Sequence, residues 1–467
     1  MKLVLWIPPA VETVIMNFEL PPEVLDYLSR LDAFINETIL PLQRNDDNER
    51  FFDHRRESSR TQWHNQGLPT EDWEKLLQQA RAIADQAGFY RFACPREYGG
   101  SGTDSLNLHM CAIRYHLASH PVYGGGVSLA NDLQTEHSVV GNNPIVIMLY
   151  HYGSTEQKEK LVPASIRGEM RATFGLTEIN HGSDATHMET TARPVTLPSG
   201  EPGFEINGNK KWQTGMHRAN YCLVFARTSG KAGDARGITA FLVPRDTPGV
   251  TVASYEWTLN MPTDHATVLF KNVLVPASAV LGPLDNGLAI AQTFTHENRI
   301  RQAASSCGAA RFCIDRSIEH ANKRHVFGKP LSSNQAIQWP LVELSTQEEM
   351  LRLLILRTAV EMDKVTAQAD TAGEAPWIAI EKQLSHKIGM CNYYANRLVC
   401  EAADRAIQIH GGDGYSRHLP FEHIWRHFRR YRITEGSEEV QMRKVAAYLF
   451  GYKKPGVKGP SNQGTKL

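Results

Sequence analysis

The spacing of apolar side chains divides the chain into three stretches. From about residue 20 to 170 the pattern is helical. Leu25, Leu28, Leu31 and Ile35 recur at three- and four-residue steps, which sets them on one helix face. Pro21 and Pro22 stand where a helix start tolerates proline. A further helix is predicted to begin at Ser154 and Thr155, ahead of Gln157 and Lys158, as N-cap and first turn. The glycine-rich run at 97–102 reads as a loop. Near residue 171 the period shortens. Phe204-Glu205-Ile206 runs into Asn207-Gly208, the dipeptide favoured in tight hairpin turns. The runs 221–226, 237–243 and 266–270 are short, rich in β-branched and aromatic residues, and bounded by Gly, Pro, Asp or Asn, so they are predicted strands. From about 283 the helical period returns in three long stretches, 289–324, 341–369 and 377–410. Helices this long with short joints predict an antiparallel bundle. The expected fold is therefore α+β and multidomain. It has a flexible extension at 1–19, an N-terminal helical domain at 20–170 and a small antiparallel β-barrel or sandwich at 171–282. A C-terminal four-helix bundle at 283–453 and a flexible tail at 454–467 complete it.

Composition narrows the picture. At 467 residues the chain exceeds the roughly 250–300 at which one core stops growing, in keeping with several domains. Lys plus Arg equals Asp plus Glu at 50 each, a balance that gives no support for a nucleic-acid partner. No apolar run reaches the roughly 18–20 residues of a membrane span. The seven cysteines are scattered and form no CxxC pair, which predicts reduced thiols and no zinc or other metal site. The apolar N-terminus is broken by Pro8 and Pro9 and lacks the marks of a signal or transit peptide, with Met16 as an alternative start. The C-terminal Thr465-Lys466-Leu467 resembles the Ser-Lys-Leu peroxisomal address with Thr in place of Ser. A chance ending on a polar tail is the other reading, with a mitochondrial or cytoplasmic destination as the alternative.

Five motifs then appear in order. They are Thr177-Glu178 followed by Gly182-Ser183-Asp184; Lys211-Trp212-Gln213-Thr214; Arg324-His325-Val326-Phe327-Gly328 with Gln335; Gln408-Ile409-His410-Gly411-Gly412-Asp413-Gly414; and Thr434-Glu435-Gly436-Ser437 onward to Gln441. Taken singly each has a plainer reading. Trp212 would be a core residue of a strand, Ser183 a turn residue, Arg324 a helix C-terminal cation. The glycines would be helix ends, and Glu435 an acid favoured by a helix dipole. Together, over about residues 20–450, they resemble the FAD-dependent acyl-CoA dehydrogenase family.

The resemblance implies a mechanism and a set of roles. Glu435 would be the base that takes the α-proton of an acyl-CoA thioester, yielding a trans-2-enoyl-CoA, with the β-hydride passing to flavin N5. The thioester carbonyl would be held by a flavin ribityl hydroxyl and the backbone N–H of Glu435. FAD would be bound by Thr177, Ser183, Trp212, Thr214, Arg324, Phe327, Gln335, Gln408, Gly411, Gly412 and Ser437, with Arg324, Phe327 and Gln335 reaching the FAD of a neighbouring subunit. The substrate would be met by Ser183, Arg299 and Gly436. The family's electron-transferring flavoprotein would be the partner, or oxygen the acceptor if the peroxisomal address holds, and a homodimer or homotetramer is expected. Some relatives carry the base on an earlier helix just before an arginine. The matching pair here is Asn298-Arg299, and Asn298 cannot act as a carboxylate base. The chain departs from the family in Thr434, where an aromatic is usual, and in the basic run from Arg426 to Arg432, which suits either CoA phosphates or a solvated helix face. Two rival functions stand beside this one: a flavin oxidase or monooxygenase on a non-CoA substrate, and a non-catalytic flavoprotein.

Overall fold

A computed structural model describes residues 19–451. Residues 1–18 and 452–467 lie outside the described residues. With them go the predicted N-terminal extension, the alternative start at Met16, and Thr465-Lys466-Leu467.

The first helix, Pro22–Phe34, takes Pro21 as its N-cap. Val24, Tyr27, Leu28 and Leu31 are buried on it, and Ile35 follows on the same face. Leu25, expected in that stripe, is 53% exposed instead. The reason is geometric: with Val24 and Tyr27 completing the inner face, a residue about 100° further round points out. The helix Thr155–Ile166 begins as its sequence predicts. Ser154 Oγ accepts from the Gln157 N–H at 3.1 Å, and Gln157 Oε1 accepts from the Ser154 N–H at 3.0 Å, a reciprocal capping box.

From Ala172 the chain forms one eight-stranded sheet. Its order is Val250–Tyr255, His265–Pro276, Pro202–Thr214, Thr191–Thr196, Tyr221–Arg227, Ile238–Pro244, Val280–Leu281, with Ala172–Gly175 paired to Tyr221–Arg227. Most pairings are antiparallel, as the short bounded strands imply. The exceptions are the parallel contacts of Tyr221–Arg227 with Ala172–Gly175 and with Thr191. Asn207-Gly208 makes no hairpin. It lies inside the strand Pro202–Thr214, opposite an irregularity in His265–Pro276 between Phe270 and Val273. Asn272 there is left-handed at φ 51°, and its N–H donates to Asn207 Oδ1 at 2.8 Å. The same small, amide-bearing pair that closes a turn here serves a β-bulge.

The C-terminal bundle packs Pro376–His410 against Thr295–Lys323, Gln335–Ala372 and Glu438–Leu449. The stretch 289–324 divides into Gly287–Gln292 and Thr295–Lys323. The middle helix starts before Pro340, at Gln335, where Asn334 Oδ1 caps the Ala336 N–H at 2.9 Å. Leu106–Ser119, from the N-terminal stretch, lies along Thr295–Lys323 and ties the two helical regions together. No helix among the described residues is long and apolar enough to cross a membrane. All seven cysteines are unpaired and buried.

Candidate active site

Glu435 occupies the turn between the short 3-10 helix Arg430–Arg432 and the helix Glu438–Leu449. Ser437 caps that helix, its Oγ accepting from the Val440 N–H at 3.5 Å. Glu435 is left-handed at φ 58°, a conformation rare for a side-chain-bearing residue. Its carbonyl oxygen accepts from Arg299 Nε at 2.9 Å and from Gln441 Nε2 at 3.0 Å, so the peptide is clamped from two helices. Gln441 Nε2 also reaches the Gly436 carbonyl oxygen at 3.3 Å. Asn298 Nδ2 donates to Glu435 Oε1 at 2.8 Å. Among the described residues no group bonds the Glu435 N–H or Oε2. Burial pushes the carboxyl pKa above the ordinary range. Glu136 adds to this, while Arg299, Asn298 and Arg430 oppose it.

The neighbouring acids are different. Glu438 is bidentate to Arg432 at 2.9 Å twice and to Arg397 at 3.1 and 3.2 Å, and Arg432 above all holds its pKa down at about 2. Glu297 turns away towards Arg301, 3.9 Å off. Burial raises Glu297 as well as Glu435, but of these two only Glu435 makes a side-chain hydrogen bond among the described residues, which holds one carboxyl oxygen and leaves the other unengaged.

On the sheet, Trp212 is half-exposed and left-handed at φ 62°. The Lys211 ammonium stands 4.9 Å from its ring centroid, and the His265 ring meets it edge-on at 6.5 Å. Thr214 pairs in register with His265. The hydroxyls of Thr177 and Thr214 make no hydrogen bond among the described residues. Thr177 offers its carbonyl oxygen to the Lys211 N–H at 2.9 Å, which brings the first two motifs side by side. Sequence reasoning missed what fixes this loop. Lys210 Nζ and Glu178 Oε1 form an ion pair at 2.8 Å with both side chains fully buried. Against burial, Lys210 and the N–H groups of Thr190 and Glu189 hold the Glu178 carboxyl below its usual range. Burial pushes Lys210 down to about 8. The loop before His265 meets the helix Phe421–Arg429 directly, with Asn260 Nδ2 3.4 Å from His427 Nδ1 and Arg426 donating to the Leu259 carbonyl oxygen at 2.8 Å.

A third group sits at the far end of the bundle. The His320 and His410 rings lie 4.2 Å apart, bringing Arg324 at the end of one helix beside Gln408, Gly411 and Gly412 at the end of another. Arg324 and Gln335 are exposed, and Phe327 is fully exposed in a left-handed turn at φ 49°. A Cβ added at Gly411 or Gly412 would meet nothing within 4 Å. No contact within one copy joins this group to the Glu435 cluster among the described residues. Ser183 is exposed before the short turn Ala185–His187, and no hydrogen bond links it to the cluster either.

The basic run is not a free cationic patch. Arg426 donates to Glu422 at 2.6 Å, Arg432 to Glu438, and Arg430 to the Leu133 carbonyl oxygen at 2.5 Å, while His427 is buried. Arg299 likewise spends its Nε on the Glu435 carbonyl, so its first office is to shape the base rather than to meet a ligand.

These features fit a flavin dinucleotide. A strained, half-exposed indole provides a flat apolar platform, two unengaged hydroxyls stand beside it, and the Arg324 guanidinium, which forms no ion pair among the described residues, offers a fork matched to phosphate oxygens. Open glycine backbone nearby leaves room for close approach.

Comparisons with known proteins find similar proteins along most of the chain. Family models for the acyl-CoA dehydrogenase N-terminal, middle and C-terminal domains match residues 43–169, 173–273 and 285–450. An acyl-CoA dehydrogenase of Bacillus subtilis (strain 168) is 31% identical over 365 residues, covering 78% of this chain and 87% of that protein. A 3-(aryl)acrylate reductase of Clostridium sporogenes (strain ATCC 15579) is 32% identical over 370 residues, covering 78% and 88%. A solved glutaryl-coenzyme A dehydrogenase in complex with glutaryl-CoA superposes with a TM-score of 0.72 at 25% identity, covering 95% of this chain and 99% of that one.

Proposed function

The chain belongs to the acyl-CoA dehydrogenase family, so it is an FAD-dependent oxidoreductase acting on CH–CH bonds, and from that premise we propose that it desaturates an acyl-CoA thioester between Cα and Cβ with Glu435 as the base. The observation that carries this reading is the state of Glu435. It is a clamped carboxyl with one oxygen unengaged and a pKa raised by burial, which is what a general base near neutral pH requires. The Glu435 N–H, free of any partner among the described residues, is available to the thioester carbonyl oxygen. A donor there stabilises enolate charge as the α-proton leaves. When bound, FAD supplies the acceptor for the β-hydride. Thr177, Trp212 and Thr214 would hold its ring. Arg324, Phe327, Gln335, Gln408, Gly411 and Gly412 would hold the distal part across a contact between copies, with Ser437 and Ser183 at the edges. The exposed Phe327, Trp339 and Val342 support assembly as a homodimer or homotetramer. The electron acceptor is an electron-transferring flavoprotein, or oxygen if Thr465-Lys466-Leu467 directs the chain to peroxisomes; a fluorescent fusion with and without that tripeptide tests the address.

The relative named a 3-(aryl)acrylate reductase supports a second reading, the reverse direction, in which protonated Glu435 returns the proton to Cα. One anaerobic experiment separates the two. Purified protein is titrated with a panel of acyl-CoAs, and the dithionite-reduced protein with the matching enoyl-CoAs, while the flavin band is followed. Bleaching by an acyl-CoA supports desaturation, and recovery of colour with enoyl-CoA alone supports reduction. Failure of every CoA ester to change the band would sink both and favour a non-CoA substrate or a non-catalytic role. Glu435→Gln should keep the flavin and lower turnover by about 10²–10⁴-fold.

A further inference from the structure

Behind Glu435 lies a chain of amides that ends on two buried cations. Arg114 and Arg301 are only 4% and 3% exposed. Arg114 Nη2 donates to Asn142 Oδ1 at 3.2 Å and to the Val140 carbonyl oxygen at 2.8 Å, and Arg301 Nη1 donates to the same Asn142 Oδ1 at 3.3 Å. Asn142 Nδ2 donates to Asn298 Oδ1 at 3.4 Å, and Asn298 Nδ2 donates to Glu435 Oε1 at 2.8 Å. Guanidinium has donors and no acceptor. Asn142 must therefore turn its oxygen to the arginines and its NH₂ to Asn298. Asn298 in turn must present its oxygen to Asn142 and its NH₂ to Glu435. The direction of every bond is set at the arginine end, and the reverse arrangement would press amide oxygen against carboxylate oxygen.

We infer that Asn298 is a positioning residue that keeps Oε1 of Glu435 as a hydrogen-bond acceptor and so assigns proton abstraction to Oε2, with Asn142, Arg114 and Arg301 fixing the sense of its amide. This rests on the reading of Glu435 as the base. A carboxylate with both oxygens unengaged would rotate about its last torsion and present either one. Tethering Oε1 removes that freedom and leaves one oxygen, in one orientation, for the α-proton. The bond also favours the ionised form, so it offsets part of the upward push that burial gives the carboxyl. The other charged groups facing Glu435 are Arg299 from its own clamp, Arg430 from the preceding turn, and Glu136 from the loop after Leu133–Thr135. The two arginines work with Asn298 and Glu136 works against it.

The test is the pH dependence of kcat/KM for Asn298→Ala, Asn298→Asp, Asn142→Ala and Glu435→Gln, each as the flavin-loaded full chain. Removing the donor in Asn298→Ala should move the acid limb up by about one pH unit and lower kcat at neutral pH by about tenfold, with KM nearly unchanged. Asn298→Asp is isosteric and guards against a folding failure. It places a second carboxyl where the amide stood, so the pair shares a proton and the acid limb should rise further still. Asn142→Ala should move the limb in the same direction by less, because Asn298 then loses only its orientation. Profiles for both Asn298 variants that superimpose on the parent, with Glu435→Gln inactive, overturn the inference and leave the base intact. A Glu435→Gln protein that still turns over overturns the base itself.

Discussion

Gly436 shows how little room the base has. Its φ is 88°, and a Cβ added there would stand 3.2 Å from Arg299 Nη2, the guanidinium whose Nε holds the Glu435 carbonyl. Gly436→Ala should therefore do two things. The left-handed backbone costs a side-chain-bearing residue about 1–2 kcal/mol, visible as a lower Tm. Displacing Arg299 should also lower kcat more than it raises KM. A variant with parent-like Tm and kcat would show that the turn relaxes freely. At this scale the sequence was legible where chemistry and order coincide. Glu435 stood out because Asn298 removes the rival base position, and Glu438 was separable as an acid of the helix start. It was silent on Asn142, which lies 156 residues before Asn298 and meets it only through the fold. It also could not foretell that Asn298, useless as a base, would be valuable as a donor. The role of Arg430 was hidden for the same reason, since its partner Leu133 comes from a distant segment, whereas Arg426 and Arg432 find Glu422 and Glu438 close by in the chain.

The element scale turns on how the sheet presents Trp212. The loop carrying Thr177 is pinned to the strand Pro202–Thr214 by the buried Lys210–Glu178 pair. Breaking a buried pair from one side leaves an uncompensated charge, so Lys210→Met should cost about 3–5 kcal/mol and loosen the flavin platform. Thermal unfolding and the fraction of flavin retained on desalting read the two effects. Replacing both partners, Lys210→Met with Glu178→Leu, should recover part of the stability but not the flavin retention, because Glu178 also binds the N–H groups of Glu189 and Thr190. Although the reciprocal bond from Gln157 was not foreseen, strands and helices were readable from period and boundary residues, and the helix start at Ser154 from its N-cap and first turn. The Asn207-Gly208 pair was not. A bulge and a turn ask for the same backbone freedom, and only the strand across from them decides which one forms. The Gln335–Ala372 helix likewise begins before the stretch 341–369 read from the sequence, with Pro340 inside it.

At the scale of the whole molecule, Glu435 is held by Asn298 and Arg299 at the start of Thr295–Lys323, with Asn142 of the N-terminal region behind them, whereas Arg324 and Phe327 follow the other end of that helix. That end carries the exposed Arg324 and the fully exposed Phe327. Sedimentation should give a dimer or tetramer, and Trp339→Glu, at an exposed position near Gln335, should shift it towards monomer. The fully exposed ring of Phe327 then carries a consequence for handling the protein. If each copy lends that ring and its arginine to the next, the yellow colour belongs to the assembly and not to the chain. Dilution would strip cofactor by mass action, and reconcentration would restore it. A dilute preparation would lose activity slowly and look unstable while every chain in it remained folded.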